Sequence, residues 1–316
     1  MYRLGVDLGG TNIAIAVVDE NYNIVGRAKT KTDAHRPAAE ICDSIAATAK
    51  EAIKAAGLKI EDIVSAGIGT PGSVVPSKGM VTYANNFAGF SNLPLCAMLK
   101  ERLGIDFYID NDANAAAYGE YLAGAGVGTK DFIAVTLGTG VGGGIIIDGK
   151  MLLGSNFAGG ELGHTVLHVD GEPCTCGRNG CFEAYASATA LIRQTKRAMD
   201  ENKDSLMWKI SEEAGGKVTG RTAFDAMRSG DAAGKEVVDT YLSYLITGLV
   251  NIINIFQPEV ISIGGGVSNE GQWLIDKMYP EIHKQQYGSG IVEETKIRIA
   301  QLKNDAGIIG AAVLGM

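Results

Sequence analysis

The chain has 316 residues, 46% of them hydrophobic and 20% charged, with a formal net charge of -8. That composition excludes a disordered chain, and the acidic balance argues against nucleic acid or an anionic membrane as the main partner. The length leads one to expect two domains, and the 43 glycines, nearly twice the usual share without a collagen-like period, should sit in particular loops.

The first β-branched run ends at Asp7-Leu8, meets a Gly9-Gly10-Thr11-Asn12 turn, and continues as a second strand from Ile13 to Asp19. A turn without Cβ atoms lets backbone N–H groups approach a phosphate, threonine adds a hydroxyl, and Asp7 could hold hydrated Mg²⁺ beside it. Pro37 to Ala56 predicts an amphipathic helix: Ile41, Ile45, Ala49 and Ile53 share one face, Pro37 starts it and Gly57 lies just past its end. Cys42 and Cys96 lie in helical or apolar settings and read as buried thiols, while His35 and His283 read as surface residues. A strand from Ile63 to Ile68 runs into Gly69-Thr70-Pro71-Gly72. A short strand, Phe107 to Asp110, opens the run Asp110-Asn111-Asp112-Ala113-Asn114 and a helix reaching about Ala123. Strand ends are where open α/β sheets gather ligands. Helix capping accounts for one carboxylate there, but not for the amides beside it. Carboxylates and amides together suit vicinal sugar hydroxyls, and a carboxylate can take a hydroxyl proton.

A second turn, Gly138-Thr139-Gly140-Val141, follows the strand Ile133 to Leu137 and leads into Ile145 to Asp148. It copies the first: Leu8 to Leu137 and Asp19 to Asp148 are both separated by 129 positions, since 137 − 8 = 129 and 148 − 19 = 129. A repeat this long suggests two similar domains facing each other. No Gly-Lys-Ser/Thr follows, and the glycines lead into strands, so neither turn is a Walker loop or a Rossmann fingerprint. A third glycine run, Gly264-Gly265-Gly266, follows the strand Val260 to Ile263. One such turn alone would favour a ligand-free hairpin; two matched turns and a third loop favour a bound nucleotide.

Between the second and third turns lies Cys174-x-Cys176-x4-Cys181, preceded by Glu161-Leu162-Gly163-His164. Three thiolates and an imidazole make a Cys3His tetrahedral set suited to zinc, and four protein ligands would make the metal structural. His168 competes with His164 for the fourth place. Five cysteines, and no signal-peptide pattern at the N-terminus, fit a reducing cytoplasm. Helices are predicted at Ala184 to Met199 and Ala232 to Phe256, with a polar, irregular surface insertion at Asp204 to Gly220. The stretch Leu242 to Phe256 is shorter than the roughly 18 apolar residues a membrane span needs, and reads as a buried helix ended by Pro258. The alternation implies an α/β fold with a mixed or parallel sheet.

Asp7-Leu8-Gly9-Gly10-Thr11, Asn111-Asp112-Ala113-Asn114, Glu161-Leu162-Gly163-His164 and Cys174-Thr175-Cys176-Gly177-Arg178-Asn179-Gly180-Cys181-Phe182-Glu183 together resemble the ROK family of sugar kinases and repressors, and within it the bacterial glucokinases. The resemblance covers essentially the whole chain. It implies a two-domain, actin-like (ribonuclease H-like) α/β sugar kinase fold with the active site in the interdomain cleft. The small domain would comprise 1–112 plus 303–316, and the large one 113–302 with the zinc-binding loop. It implies ATP-dependent phosphorylation of glucose at the 6-hydroxyl, with Asp112 as general base. Asn85, Asn111, Glu161, His164 and Glu183 would bind the sugar, His164 serving zinc with its other nitrogen. Asp7, Gly9, Gly10, Thr11, Asn12, Thr139 and Gly140 would face the ATP phosphates and Mg²⁺, and Gly265-Gly266 the adenosine end. His164, Cys174, Cys176 and Cys181 would hold structural Zn²⁺. Partners would be sugar and ATP, with a homodimer or homotetramer as assembly. The repressors carry an N-terminal helix-turn-helix domain, for which a first strand at Arg3 leaves no room. N-acetylglucosamine, N-acetylmannosamine and fructose are rival substrates. Asn85-Asn86 after Tyr83-Ala84, and Ala186 to Leu191 after the cysteine loop, look more like the glucokinase members.

Overall fold

A computed structural model describes residues 1–84 and 87–316. In chain order it contains β1 (Tyr2–Leu8), β2 (Asn12–Val18), β3 (Ile24–Lys31), α1 (Ala38–Ala55), β4 (Ile63–Thr70), β5 (Ser73–Val75), β6 (Met80–Tyr83), β7 (Ser91–Leu93), α2 (Leu95–Leu103), β8 (Phe107–Asn111) and α3 (Asp112–Ala123). There follow β9 (Phe132–Leu137), β10 (Val141–Ile147), β11 (Lys150–Met151), α4 (Glu183–Ala186), α5 (Ala188–Glu201), α6 (Leu206–Glu213), α7 (Thr222–Arg228), α8 (Ala232–Phe256), β12 (Val260–Gly264), α9 (Gln272–Gln285), β13 (Lys296–Ile299) and α10 (Ala306–Ala312).

The repeat in the sequence is a repeat of a whole sheet. One five-stranded sheet has the order β3-β2-β1-β4-β8, and another the order β11-β10-β9-β12-β13, which is the same order position for position. In the first, β1, β2 and β3 form an antiparallel meander, while β4 and β8 run parallel to β1. In the second, β12 and β13 pair in parallel. Strands at the centre of such sheets are covered on both faces and read as continuous apolar runs. Leu4, Val6, Leu8, Ala66 and Ile68 are accordingly buried in the core, with Ile41, Ile45 and Ala49 of α1 packed in the same cluster.

The contacts divide the chain into two compact units, 1–134 with 144–160 and 300–316, and 135–143 with 161–299. These bounds differ from the expected division at 112 and 302, and packing is the reason. α3 stays with the first unit because it lies backbone to backbone on α10: a Cβ at Gly310 would stand 1.7 Å from the Ala115 carbonyl oxygen, and one at Gly119 2.2 Å from that of Ala306. The buried Glu120 carboxylate ties the returning chain to α3, accepting from Gln301 N at 3.0 Å and Leu302 N at 2.6 Å.

Three expectations in the second unit need correction. Ala184 to Met199 is not one helix, because the Ser187 side chain accepts from Ala190 N and starts α5 afresh. Asp204 to Gly220 is not wholly irregular: Ser205 caps α6, and the Asp231 carboxylate accepts from Leu206 N at 2.7 Å. His283 is buried rather than exposed, with its ring against Tyr279 and its Nδ1 3.4 Å from a Glu294 oxygen. α8 has the length and composition of a membrane span, yet more than half of that stretch is buried inside the protein. It is a core helix, packed against α4, α5, α7 and α9.

Candidate active site

In the first unit the candidate residues gather at the ends of β1, β4 and β8. The β1–β2 turn is closed by Gly9 N donating to Asn12 O at 3.0 Å. It is braced from behind by the buried Thr32, whose hydroxyl donates to Gly9 O at 2.6 Å and whose N–H donates to Thr11 O at 3.0 Å. Gly10, Thr11 and Asn12 are exposed. Gly10 does not need a left-handed backbone, and a Cβ there would meet nothing within 4 Å. Neither backbone strain nor internal crowding therefore calls for glycine there, and the turn leaves its amides open to an incoming group.

Beside that turn stand two desolvated carboxylates. Burial, reinforced by the negative charge of Asp112, pushes the Asp7 carboxyl up to about 6. Among the described residues no hydrogen bond or cation offsets it, and a carboxylate is a hard oxygen donor of the type that divalent cations take. Asp112 is likewise held above the usual aspartate range by burial, although its Oδ1 accepts from Ala113 N at 2.9 Å. Its backbone is fixed by its neighbours. Asn111 caps α3 by accepting from Ala113 N, and its amide donates to Gly72 O at 3.2 Å. The buried Asp110 accepts from Asn111 N at 2.7 Å and from the Asn114 amide at 2.9 Å. Asn114, which the sequence pattern groups with the sugar-binding residues, is thus engaged in supporting Asp110. Asn85 lies outside the described residues.

In the second unit the β9–β10 turn is closed by Gly138 N donating to Gly140 O at 3.0 Å. The start of α5 anchors it: Ala188 N donates to Gly138 O at 2.8 Å and the Thr189 hydroxyl to Thr139 O at 2.8 Å. Thr139 is exposed, as are Gly265 and Gly266. Gly265 does need to be glycine, since its φ is +81° and a Cβ would stand 2.4 Å from Leu137 O. The Ser268 hydroxyl donates to Gly265 O at 2.7 Å and fixes that loop.

The cysteine loop folds onto the short 3-10 turn Leu162–His164. Ligand atoms of His164, Cys174, Cys176 and Cys181 all lie within 4.8 Å of one another. The Cys176 and Cys181 sulfurs are 3.7 Å apart, and Cys174 Sγ is 3.6 Å from His164 Nδ1. Zinc–sulfur bonds of about 2.3 Å give a tetrahedral edge of about 3.8 Å, so the donors and their spacing fit zinc. His168, the competing ligand, is turned away into a ring cluster with Tyr185 and Tyr244. The other imidazole nitrogen of His164, Nε2, lies 4.0 Å from a Glu161 oxygen, and the Glu161 side chain is 71% exposed. We expect about one zinc per chain by elemental analysis of chelator-washed protein, and its loss together with activity in Cys176→Ala; zinc-free wild-type protein would overturn the assignment.

Sequence reasoning missed three supports of these groups: Thr32 behind the first turn, Asp110 beneath Asn111, and the contact between Glu183 and the second turn. Only Asp110 carried a local signal, as a third polar residue in its run.

The chain matches the model of the ROK family over residues 3–316. It is 37% identical over 315 residues to the glucokinase of Halalkalibacterium halodurans, covering 99% of this chain and 94% of that protein. It is 30% identical over 265 residues to the xylose repressor of Caldicellulosiruptor bescii, covering 84% of this chain and 65% of that protein. Its fold matches the ROK family glucokinase from Streptomyces griseus, solved in complex with glucose and AMPPNP, with a TM-score of 0.81, 34% identity and 99% of each chain covered. The paired sheets of one order are those of the actin-like sugar kinases, and the match spans nearly every residue: the chain belongs to the ROK family.

Proposed function

We propose that this protein is a glucokinase that transfers the γ-phosphoryl group of ATP to the 6-hydroxyl of glucose. The observation that carries the reading is the pair of desolvated carboxylates, Asp112 and Asp7, in one unit beside an open glycine turn. A carboxylate raised by burial is a better proton acceptor than an ordinary aspartate, and Asp112 takes the 6-hydroxyl proton as its oxygen attacks. Phosphoryl transfer needs little covalent help, so holding the hydroxyl in line supplies much of the rate.

The remaining residues bind and orient. Asn111, Glu161, His164 and Glu183 hold the other hydroxyls, each offering acceptors or donors of fixed geometry. The backbone amides at Gly10, Thr11 and Asn12, and those at Thr139 and Gly140, receive the phosphates, the Gly9 amide closes the first turn on Asn12 O, and Gly265 and Gly266 border the adenosine. Asp7 would hold Mg²⁺, which would offset phosphate charge. His164, Cys174, Cys176 and Cys181 would hold zinc, which would supply rigidity, with Nδ1 of His164 on the cysteine side and Nε2 left for a sugar hydroxyl. A cytoplasmic location fits the free thiols.

A sugar-binding regulator is the second reading, favoured by the similarity to a xylose repressor. The two meet different tests. ADP release from Mg·ATP with a hexose panel is expected to give kcat/KM for glucose at least about tenfold above fructose, N-acetylglucosamine and N-acetylmannosamine, since one unmatched polar group costs 1–3 kcal/mol. Preference for another hexose would move the substrate; binding of sugar without ADP release would favour the regulator.

A further inference from the structure

The Glu183 carboxylate lies between two parts of the second unit that are far apart in sequence. Its Oε2 accepts from Val141 N at 3.0 Å, 42 residues away. The same oxygen would stand 2.2 Å from a Cβ on residue 140, so a side chain there would push the carboxylate out of this position. Its Oε1 accepts from the Thr175 hydroxyl at 3.3 Å and lies 3.6 Å from Cys174 Sγ, both in the cysteine loop. Among the described residues, the other side-chain and backbone tethers of the Thr139–Gly140 turn come from α5, through Ala188 N and the Thr189 hydroxyl, and neither reaches that loop.

We propose that Glu183 is a positioning residue that couples the cysteine loop to the Thr139–Gly140–Val141 turn, so that nucleotide affinity depends on the order of the loop before any sugar arrives. The proposal rests on the reading that this turn receives the ATP phosphates. A backbone N–H held by a charged acceptor is more strongly fixed than one held by a neutral group. A turn that is already ordered also binds its ligand without first losing conformational freedom. Glu183 thereby serves the nucleotide side as well as the sugar, and an effect of the metal loop on nucleotide binding follows without any contact between the two.

The test is calorimetric titration of Mg·AMPPNP into the zinc-loaded protein with no sugar present. Glu183→Ala is expected to weaken binding about tenfold. Glu183→Gln is expected to recover most of that loss, since its amide oxygen still accepts from Val141 N and its amide nitrogen donates to the Thr175 oxygen. Thr175→Val, which frees only the loop end of the link, should weaken binding about threefold. Binding by Glu183→Ala within about twofold of the parent would overturn the coupling. If that variant does not fold, unchanged affinity in Thr175→Val overturns it instead. Failure of the parent chain to bind Mg·AMPPNP would overturn the nucleotide reading of the turn, and the coupling with it.

Discussion

Asp112→Asn is expected to lower turnover by about three orders of magnitude while leaving glucose binding nearly intact. The substitution is isosteric, and what it removes is the proton acceptor. The asparagine oxygen still accepts from Ala113 N, as Asp112 Oδ1 does at 2.9 Å. Asn111 still caps α3, and Asp110 still holds Asn111 N and the Asn114 amide. The active-site backbone therefore has no reason to move. Because burial raises Asp112, the acid limb of the wild-type pH–rate profile should fall above the ordinary aspartate range, and this limb should vanish in the variant. Rapid-quench turnover and calorimetric glucose binding, measured across pH, check both halves. Near-normal turnover would remove Asp112 from the role of base.

Asp7→Asn is expected to abolish turnover and yet raise the melting temperature of the ligand-free protein by a few degrees at pH 8. The sign follows from linkage. Asp7 is raised from 3.8 to about 6 in the folded chain, so between those values the folded state binds more protons than the unfolded one. Stability from this group is therefore lost as pH rises through that window, and the full penalty remains above it. A shift of this size sets a ceiling of about 3 kcal/mol on the gain from removing the charge. The difference between variant and wild type should shrink below about pH 6, where Asp7 is protonated. Added Mg·AMPPNP should restore stability to the wild type but much less to the variant, because ligand binding stabilises only a competent site. Thermal melts at pH 5 and pH 8, with and without the nucleotide, separate these cases. A variant less stable than wild type at pH 8 would contradict the placement of Asp7 as a desolvated carboxylate without an offsetting partner. A site that costs stability to serve chemistry is a familiar trade-off.

The features legible in the sequence are those with local causes. Both glycine turns stood out because each follows a β-branched run, and their 129-residue offset pointed to a duplication that proves to include five strands in one order. The cysteine cluster was legible because its ligands crowd a short loop; the choice between His164 and His168 was not, because it depends on how that loop folds back. The buried pairing of Glu120 with Leu302 spans 182 positions, and no local pattern marks it. It is one reason the chain groups α3 with its own C-terminal segment. Gly10 has an ordinary backbone and open space where a Cβ would stand, which a reading of the turn from its glycines alone does not reveal. His283 was misplaced because a lone histidine near a helix end carries no sign of burial; its partners Tyr279 and Glu294 come from tertiary packing.

Product identity tests the proposed chemistry most directly. The protein, incubated with glucose and Mg·ATP and followed by phosphorus NMR, should produce ADP and glucose 6-phosphate in equal amounts, with Asp112→Asn producing neither at a comparable rate. Phosphate on another hydroxyl, ADP formed without a sugar ester, or no consumption of ATP with glucose would contradict the assignment.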